Sequence, residues 1–389
     1  MNDLSELTLD SLGARPRWSP EISDCYNSNS GSAGVHQIGV LRGEGVGPEV
    51  VNAALAVLSA VQSISKATFQ LHYGGCIGIE SEKQIGSPLG EDVIGFCEDI
   101  WAGGGAILSG PGGGRYVYDL RKRFDLFCKL NPLITYGELG YAGHLKPEYT
   151  NDVDIMVVRE NIAGVYQGQW SSGTTSDGTR SAAHRFEYTE DVVTRIVEVA
   201  ARIASKRRGK LALIVKTNGV PTISELWLAC GDQVAARYDV EVIPLEVDYA
   251  AYCMIQDAQE LDVVVTPNLF GDILADLGGV LLGSRGLCYS GSFSRRGYAV
   301  YQTNHGAAYD LAGADRVNPV GQILSVAMML RESFGLLRES ALIEHAVRQV
   351  WRKGWRTPDL VDNGCRVCGT RDMAERVSDA VPPLAAQFT

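Results

Sequence analysis

Positive charge is in short supply in this chain. Lys and Arg number 35 against 46 Asp and Glu, a formal net charge of −11. That deficit disfavours a broad nucleic-acid-binding face, because phosphates select basic surfaces. Long apolar runs are missing too: none approaches the roughly 18 consecutive residues of a membrane-crossing helix. The N-terminus has no basic stretch followed by an apolar one, and it carries Asp3, Glu6 and Asp10, which a transit peptide avoids. The expectation is a soluble cytoplasmic protein with no membrane or nucleic-acid partner.

A disulfide framework is absent as well. The cysteines number 9, an odd count, and Cys25, Cys76, Cys97, Cys128, Cys230, Cys253 and Cys288 are scattered, mostly in apolar segments. They read as reduced thiols acting as small hydrophobes. Cys365 and Cys368 form the one C-x-x-C, without the further Cys or His ligands that a structural zinc needs. The common nucleotide signatures are also incomplete. Gly43-Glu44-Gly45-Val46-Gly47-Pro48 lacks the G-x-G-x-x-G register, and Gly110-Pro111-Gly112-Gly113-Gly114 lacks the Lys-Ser/Thr of a phosphate loop.

What remains is ordinary globular composition, 45% hydrophobic and 21% charged over 389 residues, enough for two or three domains. Residues 1–35 mix Ser, Asn, Gly and Pro without periodicity, which predicts a flexible or loosely docked extension. From His36 short apolar runs alternate with amphipathic stretches. Strands are expected over 38–41, 105–109, 154–158, 211–215 and 262–266, and helices over 48–61, 189–205 and 322–334. That alternation predicts an α/β protein with a largely parallel sheet.

Polar residues follow directly on these strands: Arg159-Glu160-Asn161, then Lys216-Thr217-Asn218, then Asn268 with Asp272 and Asp276. Open α/β sheets bind ligands beyond the carboxyl ends of their strands, so three strands deliver cations, carboxylates and amides to one rim. Asp272 and Asp276 lie four apart and share a helix face. That spacing suits a hard divalent cation and equally a solvated acidic face. Lys216, at the end of an apolar strand, reads either as a base with a lowered pKa or as a snorkelling surface residue. Tyr166 alone reads as a half-buried core tyrosine.

Together these segments resemble the β-decarboxylating dehydrogenases, the isocitrate, 3-isopropylmalate, homoisocitrate and tartrate enzymes. The blocks that carry the resemblance are 43–50, Leu120-Arg121-Lys122 with Asp125-Leu126-Phe127, Val158-Arg159-Glu160-Asn161, Thr266-Pro267-Asn268-Leu269-Phe270-Gly271-Asp272, and His305-Gly306-Ala307-Ala308 running on to Asn318-Pro319. The resemblance covers the chain from about His36 to its end. It implies a two-domain isopropylmalate/isocitrate dehydrogenase-like fold with an interdomain cleft. The larger domain would be 36–126 with 283–389, and the smaller one 127–282.

The activity implied is hydride transfer from a 2-hydroxy acid to NAD, followed by loss of CO₂ from the neighbouring carboxylate. Lys216 matches the family's general base, and Tyr166 the acid that protonates the enol carbon. Asp248, Asp272 and Asp276 match the ligands of Mg²⁺ or Mn²⁺. Arg121 and Arg159 match substrate-binding arginines. His305, Gly306, Ala307, Asp310, Leu311, Asn318 and Asn218 match the cofactor site. Asp310 followed by Leu311 matches NAD users, and a carboxylate there accepts from a ribose 2′-hydroxyl and repels a 2′-phosphate. Lys216 and Asp248 would serve the site of a second copy, so a homodimer is the expected minimum.

The chain departs from the family at the substrate. Leu130-Asn131-Pro132 stands where Leu-Arg-Pro is usual, and Lys129 two residues earlier restores the charge without a bidentate fork. Arg115-Tyr116-Val117-Tyr118 stands where isopropylmalate enzymes are aliphatic. Arg115, Tyr118, Lys129 and Asn131 are therefore expected to line the substrate site. They favour a small anionic substrate with an isocitrate-, homoisocitrate- or phosphonate-like group on its third carbon. Two alternatives carry forward: a catalytically silent subunit of a hetero-oligomer, and a tartrate-type dehydrogenase without decarboxylation.

Overall fold

The computed structural model describes residues 13–23 and 34–387. The chain opens with β1 (Val35–Leu41), α1 (Gly47–Gln62), β2 (Thr68–Tyr73), α2 (Ile79–Ile85), α3 (Glu91–Ala102), β3 (Ala106–Ser109) and α4 (Tyr116–Arg123). It continues through β4 (Cys128–Ile134), α5 (Pro147–Thr150), β5 (Asp154–Glu160), β6 (Gln169–Thr174), β7 (Arg180–Arg185), α6 (Glu190–Ser205), β8 (Lys210–Val215) and α7 (Pro221–Ala235). Then come β9 (Glu241–Glu246), α8 (Val247–Gln256), β10 (Val263–Thr266), α9 (Asn268–Leu282), β11 (Tyr289–Phe293) and β12 (Ala299–Thr303). The last long helices are α10 (Val320–Glu332), α11 (Leu337–Arg352) and α12 (Thr370–Gln387).

Ten strands form one sheet in the order β2-β1-β3-β12-β11-β4-β5-β10-β8-β9. Parallel pairing holds through β2-β1-β3-β12 and again through β5-β10-β8-β9. Between these blocks β11 and β4 pair antiparallel with each other and with their flanks. The expected strands and helices are present within a few residues, so the α/β class with a largely parallel sheet holds. The exposed hairpin β6–β7 and the antiparallel centre were not foreseen. Their sequences, Gln169–Thr174 and Cys128–Ile134, carry no clean period-two pattern.

Helix α1 begins on Gly47-Pro48, where the fixed φ of proline suits the first turn. Helix α10 is buried along its whole length. Its one charged pair, Arg331 and Glu332, is matched internally and by Glu344.

The N-terminal extension differs from expectation over 13–23, which is firmly docked. Trp18 and Ile22 enter the main core. The amides of Trp18 and Ser19 donate to Glu332 Oε2 at 2.7 and 2.8 Å, and Arg15 Nε donates to Glu344 at 2.7 Å. Ser23 Oγ donates to the Arg295 carbonyl, and Lys206, just after α6, pairs with Glu21. An irregular segment thus gains its order from buried charge and two large apolar side chains, which no local period announces. Residues 1–12 and 24–33 of that extension, Cys25 included, lie outside the described residues. The other cysteines are free thiols, Cys365 and Cys368 among them. No described helix is long and apolar enough to cross a membrane.

Candidate active site

The centre of the site is a row of residues across four strands. Thr266 pairs with Arg159, Arg159 with Lys129, and Lys129 with Ser292. Direct cross-strand partners share a sheet face, so two cations stand side by side there. Arg121, from the end of α4, is buried beside them. Burial and the neighbouring Arg159 push the Arg121 guanidinium down to about 10. Burial, with Arg121 and Arg159 nearby, holds the Lys129 ammonium well below its ordinary value. Three buried cations with little carboxylate between them form a site built for an anion.

Helix α9 supplies the countercharge. It follows directly on β10, and Gly271 lets it approach closely, because a Cβ there would strike Thr266 Oγ1 and press on the Arg159 side chain. Arg159 forks onto Asn268 Oδ1 through Nε (3.1 Å) and Nη2 (2.8 Å), and its Nη1 pairs with Asp272. Tyr166 Oη donates to Asp272 Oδ2 at 2.6 Å. Burial alone would raise the Asp272 carboxyl, yet Arg159, Tyr166 and Lys129 hold it below the usual range. Burial and then Asp272 push the Tyr166 phenol up, so it stays protonated.

The turn carrying Tyr166 is fixed from beneath. Glu160, buried at the end of β5, accepts from the amides of Ile162 (2.8 Å) and Ala163 (3.0 Å). Burial lifts that carboxyl to about 7. Asn268 Nδ2 donates to the Ala163 carbonyl and its amide to Tyr188 Oη, both at 2.9 Å.

A wall of aromatics and one cation closes the other side. Tyr118 leans on Tyr166 with ring centroids 4.9 Å apart, and Gln167 Nε2 reaches the Tyr118 carbonyl. Arg115 lies over the rings of Tyr118 (5.2 Å) and Trp170 (4.7 Å) and donates to the Tyr166 carbonyl at 2.9 Å. Trp170, Gln167 and Tyr188 escaped the sequence reading. Glu160 and Asn268 were legible as polar residues beside the strand ends, but without their partners. Asn131 is fully buried two residues along β4 from Lys129, opposite Val157, with both amide atoms unpaired.

Lys216, half-buried, and Asp248, exposed, form a second cluster. Lys216 Nζ bonds Asp248 at 2.7 Å and lies 3.5 Å from Glu246. The Asp248 bond raises the lysine and lowers the carboxyl. Asp276 pairs with Arg285 at 2.6 Å. The three expected metal ligands therefore do not meet within one chain, and no group of three His, Cys, Asp or Glu does so among the described residues. Asp272 and Asp276, one turn apart on α9, still suit a hard divalent cation that lacks one ligand.

The expected cofactor residues lie mainly on the segment after β12. His305 is half-buried, and desolvation lowers its pKa and keeps it neutral, while Nδ1 contacts the Gly306 carbonyl. Ala307 is buried, while Gly306, Asp310 and Leu311 are exposed. Asn318 bonds Asp359 and, through Oδ1, the Val320 amide at the start of α10, so its amide has a structural duty. Asn218 stands exposed on the loop after β8.

An anion site at the carboxyl ends of strands, with a protonated phenol bonded to an acid, defines an enzyme acting on a small carboxylic acid. Known proteins narrow the class. The isocitrate/isopropylmalate dehydrogenase family model matches residues 37–377. The 3-isopropylmalate dehydrogenase of Geobacillus kaustophilus is 37% identical, over 90% of this chain and 96% of its own length. That of Aquifex aeolicus is 36% identical, over 91% and 99%. The isocitrate dehydrogenase of Methylococcus capsulatus superposes with a TM-score of 0.79 at 30% identity, over 89% of this chain and 99% of that one. The chain belongs to the isocitrate/isopropylmalate dehydrogenase family. It is an NAD-dependent decarboxylating dehydrogenase, of a family whose members use NAD with Mg²⁺ or Mn²⁺.

Proposed function

We propose that this chain oxidatively decarboxylates a 3-substituted malate whose third-carbon group is polar or anionic, as in isocitrate, homoisocitrate or a phosphonate analogue. The observation behind the reading is the buried trio Arg121, Lys129 and Arg159, faced by a wall of Arg115, Tyr118 and Trp170 rather than aliphatic side chains. Arg121, Lys129 and Arg159 hold the substrate carboxylates. Tyr166, protonated and aimed by Asp272, delivers the proton to the enol carbon. Within one chain Asp248 holds Lys216 protonated. The lysine would take the hydroxyl proton only as a free amine, once the shared site draws Asp248 away and its own proton has passed to solvent. Bound NAD⁺ supplies the hydride acceptor, and a bound Mg²⁺ or Mn²⁺ supplies positive charge for the developing oxyanion. His305, Gly306, Ala307, Asp310 and Leu311 would hold the dinucleotide.

The site is completed by a second copy. Lys216 is half-buried and Asp248 exposed, as are Tyr249, Tyr252, Ile273 and Val280 on the packed helices α8 and α9. Apolar side chains beside an unfinished site mark the face of a homodimer. Within each copy the domain division falls between β11 and β4, leaving five strands of the main sheet on either side and the cleft above that pair. Mixing inactive Lys216→Met and Tyr166→Phe chains tests the shared site: restored turnover supports it, and none contradicts it. Counting NADH and CO₂ on a panel of 3-substituted malates tests the reaction.

A second reading, 3-isopropylmalate itself, is favoured by the names of the curated relatives. The same panel separates the two.

A further inference from the structure

The motif Gly43-Glu44-Gly45-Val46-Gly47-Pro48-Glu49-Val50 plays no part in the chemistry described so far, yet its contacts are specific. Glu44 is buried, and its carboxylate accepts from the amides of Gly113 (2.8 Å) and Ile79 (3.1 Å), from the Glu80 amide, and from Tyr309 Oη (2.9 Å). The Val46 amide donates to the Ala307 carbonyl at 2.8 Å. Gly45 (φ +58°) lies so close to Ala307 that a Cβ would strike its carbonyl oxygen. Glu49 Oε1 accepts from the Gly313 amide, and Val46 and Val50 pack on Val317 and Ala308. The motif therefore grips the segment after β12 at Ala307, Tyr309, Gly313 and Val317.

The same motif grips the opposite wall. The Glu44 amide donates to the Pro111 carbonyl at 2.8 Å, and its carboxylate holds Gly113, two residues before Arg115 and the start of α4. That helix carries Tyr118 and Arg121. A single buried carboxylate thus bonds the lead-in to the substrate helix and the exposed turn that carries Asp310. Burial would raise the Glu44 carboxyl, but the bonds from Gly113, Glu80 and Tyr309 hold it below the ordinary range. It is an anion at neutral pH, and its bonds are charge-assisted.

We propose that Glu44 is a positioning residue that couples the dinucleotide segment 307–313 to the substrate-side segment 113–121, so that binding of cofactor and hydroxy acid reinforce each other. This rests on the reading of 305–318 as the dinucleotide segment. An element held by two sites transmits order from one to the other, and the coupling is reciprocal. Tyr309 contributes the one bond that joins Glu44 to that segment, and its ring is largely exposed.

The test is NADH binding to the full chain with Mg²⁺, followed by NADH fluorescence, with and without malate, the core of every 3-substituted malate. The unsubstituted protein should bind NADH more tightly when malate is present. Tyr309→Phe should lose most of that enhancement, about threefold or more out of the usual 5- to 150-fold range. Equal weakening with and without malate, as loss of a merely structural contact would give, overturns the proposal, as does an unsubstituted protein with no enhancement. Asp310→Ala separates the layers. Unchanged NADH affinity there overturns the dinucleotide reading and the proposal with it. Weakened affinity in Asp310→Ala beside an unaltered enhancement in Tyr309→Phe overturns the coupling alone.

Discussion

Tyr166 donates its phenolic proton to Asp272 Oδ2 at 2.6 Å, while Arg159 occupies the other carboxyl oxygen of the same residue. One carboxylate thereby aims both a proton donor and a substrate-binding cation. Loss of the phenol should therefore cost chemistry more than binding. In Tyr166→Phe, kcat for CO₂ release should fall about 10²-fold or more, the lower end of what a positioned acid contributes. KM for the hydroxy acid should stay within about threefold. Because burial and Asp272 raise the phenol's pKa, Tyr166 should not set an alkaline limb of the pH–rate profile below pH ~10.

Lys129 makes opposite contributions to binding and stability. Its ammonium is buried beside Arg121 and Arg159, so Lys129→Met should stabilise the fold by about 1–3 kcal/mol, the order of a buried unmatched polar group. The substrate KM should meanwhile rise about 10- to 100-fold, the worth of a charged hydrogen bond. The sign with pH follows from the lowered pKa. Between that value and the ordinary ~10.4, the unfolded chain holds a proton that the folded chain lacks. Stability of the unsubstituted protein should then rise with pH across that window, and the difference from Lys129→Met should shrink. Denaturant midpoints at several pH values check this.

Asp310 stands exposed after Tyr309, and in the proposed dinucleotide site it would accept from a ribose 2′-hydroxyl. Asp310→Lys should weaken NAD⁺ use about tenfold and weaken NADP⁺ use less or improve it. Steady-state KM values for the two cofactors decide it. Equal effects remove the ribose argument.

Much of this site was legible because its parts sit at predictable places. Arg159 ends a strand, Lys216 follows one and Asp272 lies in the first turns of a helix, where register and period fix their direction. Arg115 was legible as part of a polar and aromatic segment, but its stacking on Trp170 depends on a hairpin further along the chain. Asp248, Asp272 and Asp276 read as one ligand set, yet in a single chain each is held by a different cation. Assembly of groups from distant elements, or from two copies, leaves no local trace.

The docked N-terminal segment was invisible for the same reason. Trp18 sits in the core with its amide on Glu332, and Trp18→Ala should cost about 3–5 kcal/mol of stability. Thermal unfolding checks it. A change within about 0.5 kcal/mol, typical of a surface site, would show the segment to be undocked in solution.

The most direct test of the proposed reaction is a turnover panel with NAD⁺ and Mg²⁺ or Mn²⁺, in which NADH and CO₂ are both counted for isocitrate, homoisocitrate, a phosphonate-bearing malate and 3-isopropylmalate. One NADH and one CO₂ per turnover are predicted, with kcat/KM on a polar or anionic substrate at least about tenfold above that on 3-isopropylmalate, a difference of ~1.4 kcal/mol. NADH without CO₂, or a preference for 3-isopropylmalate over every anionic member, would contradict the account.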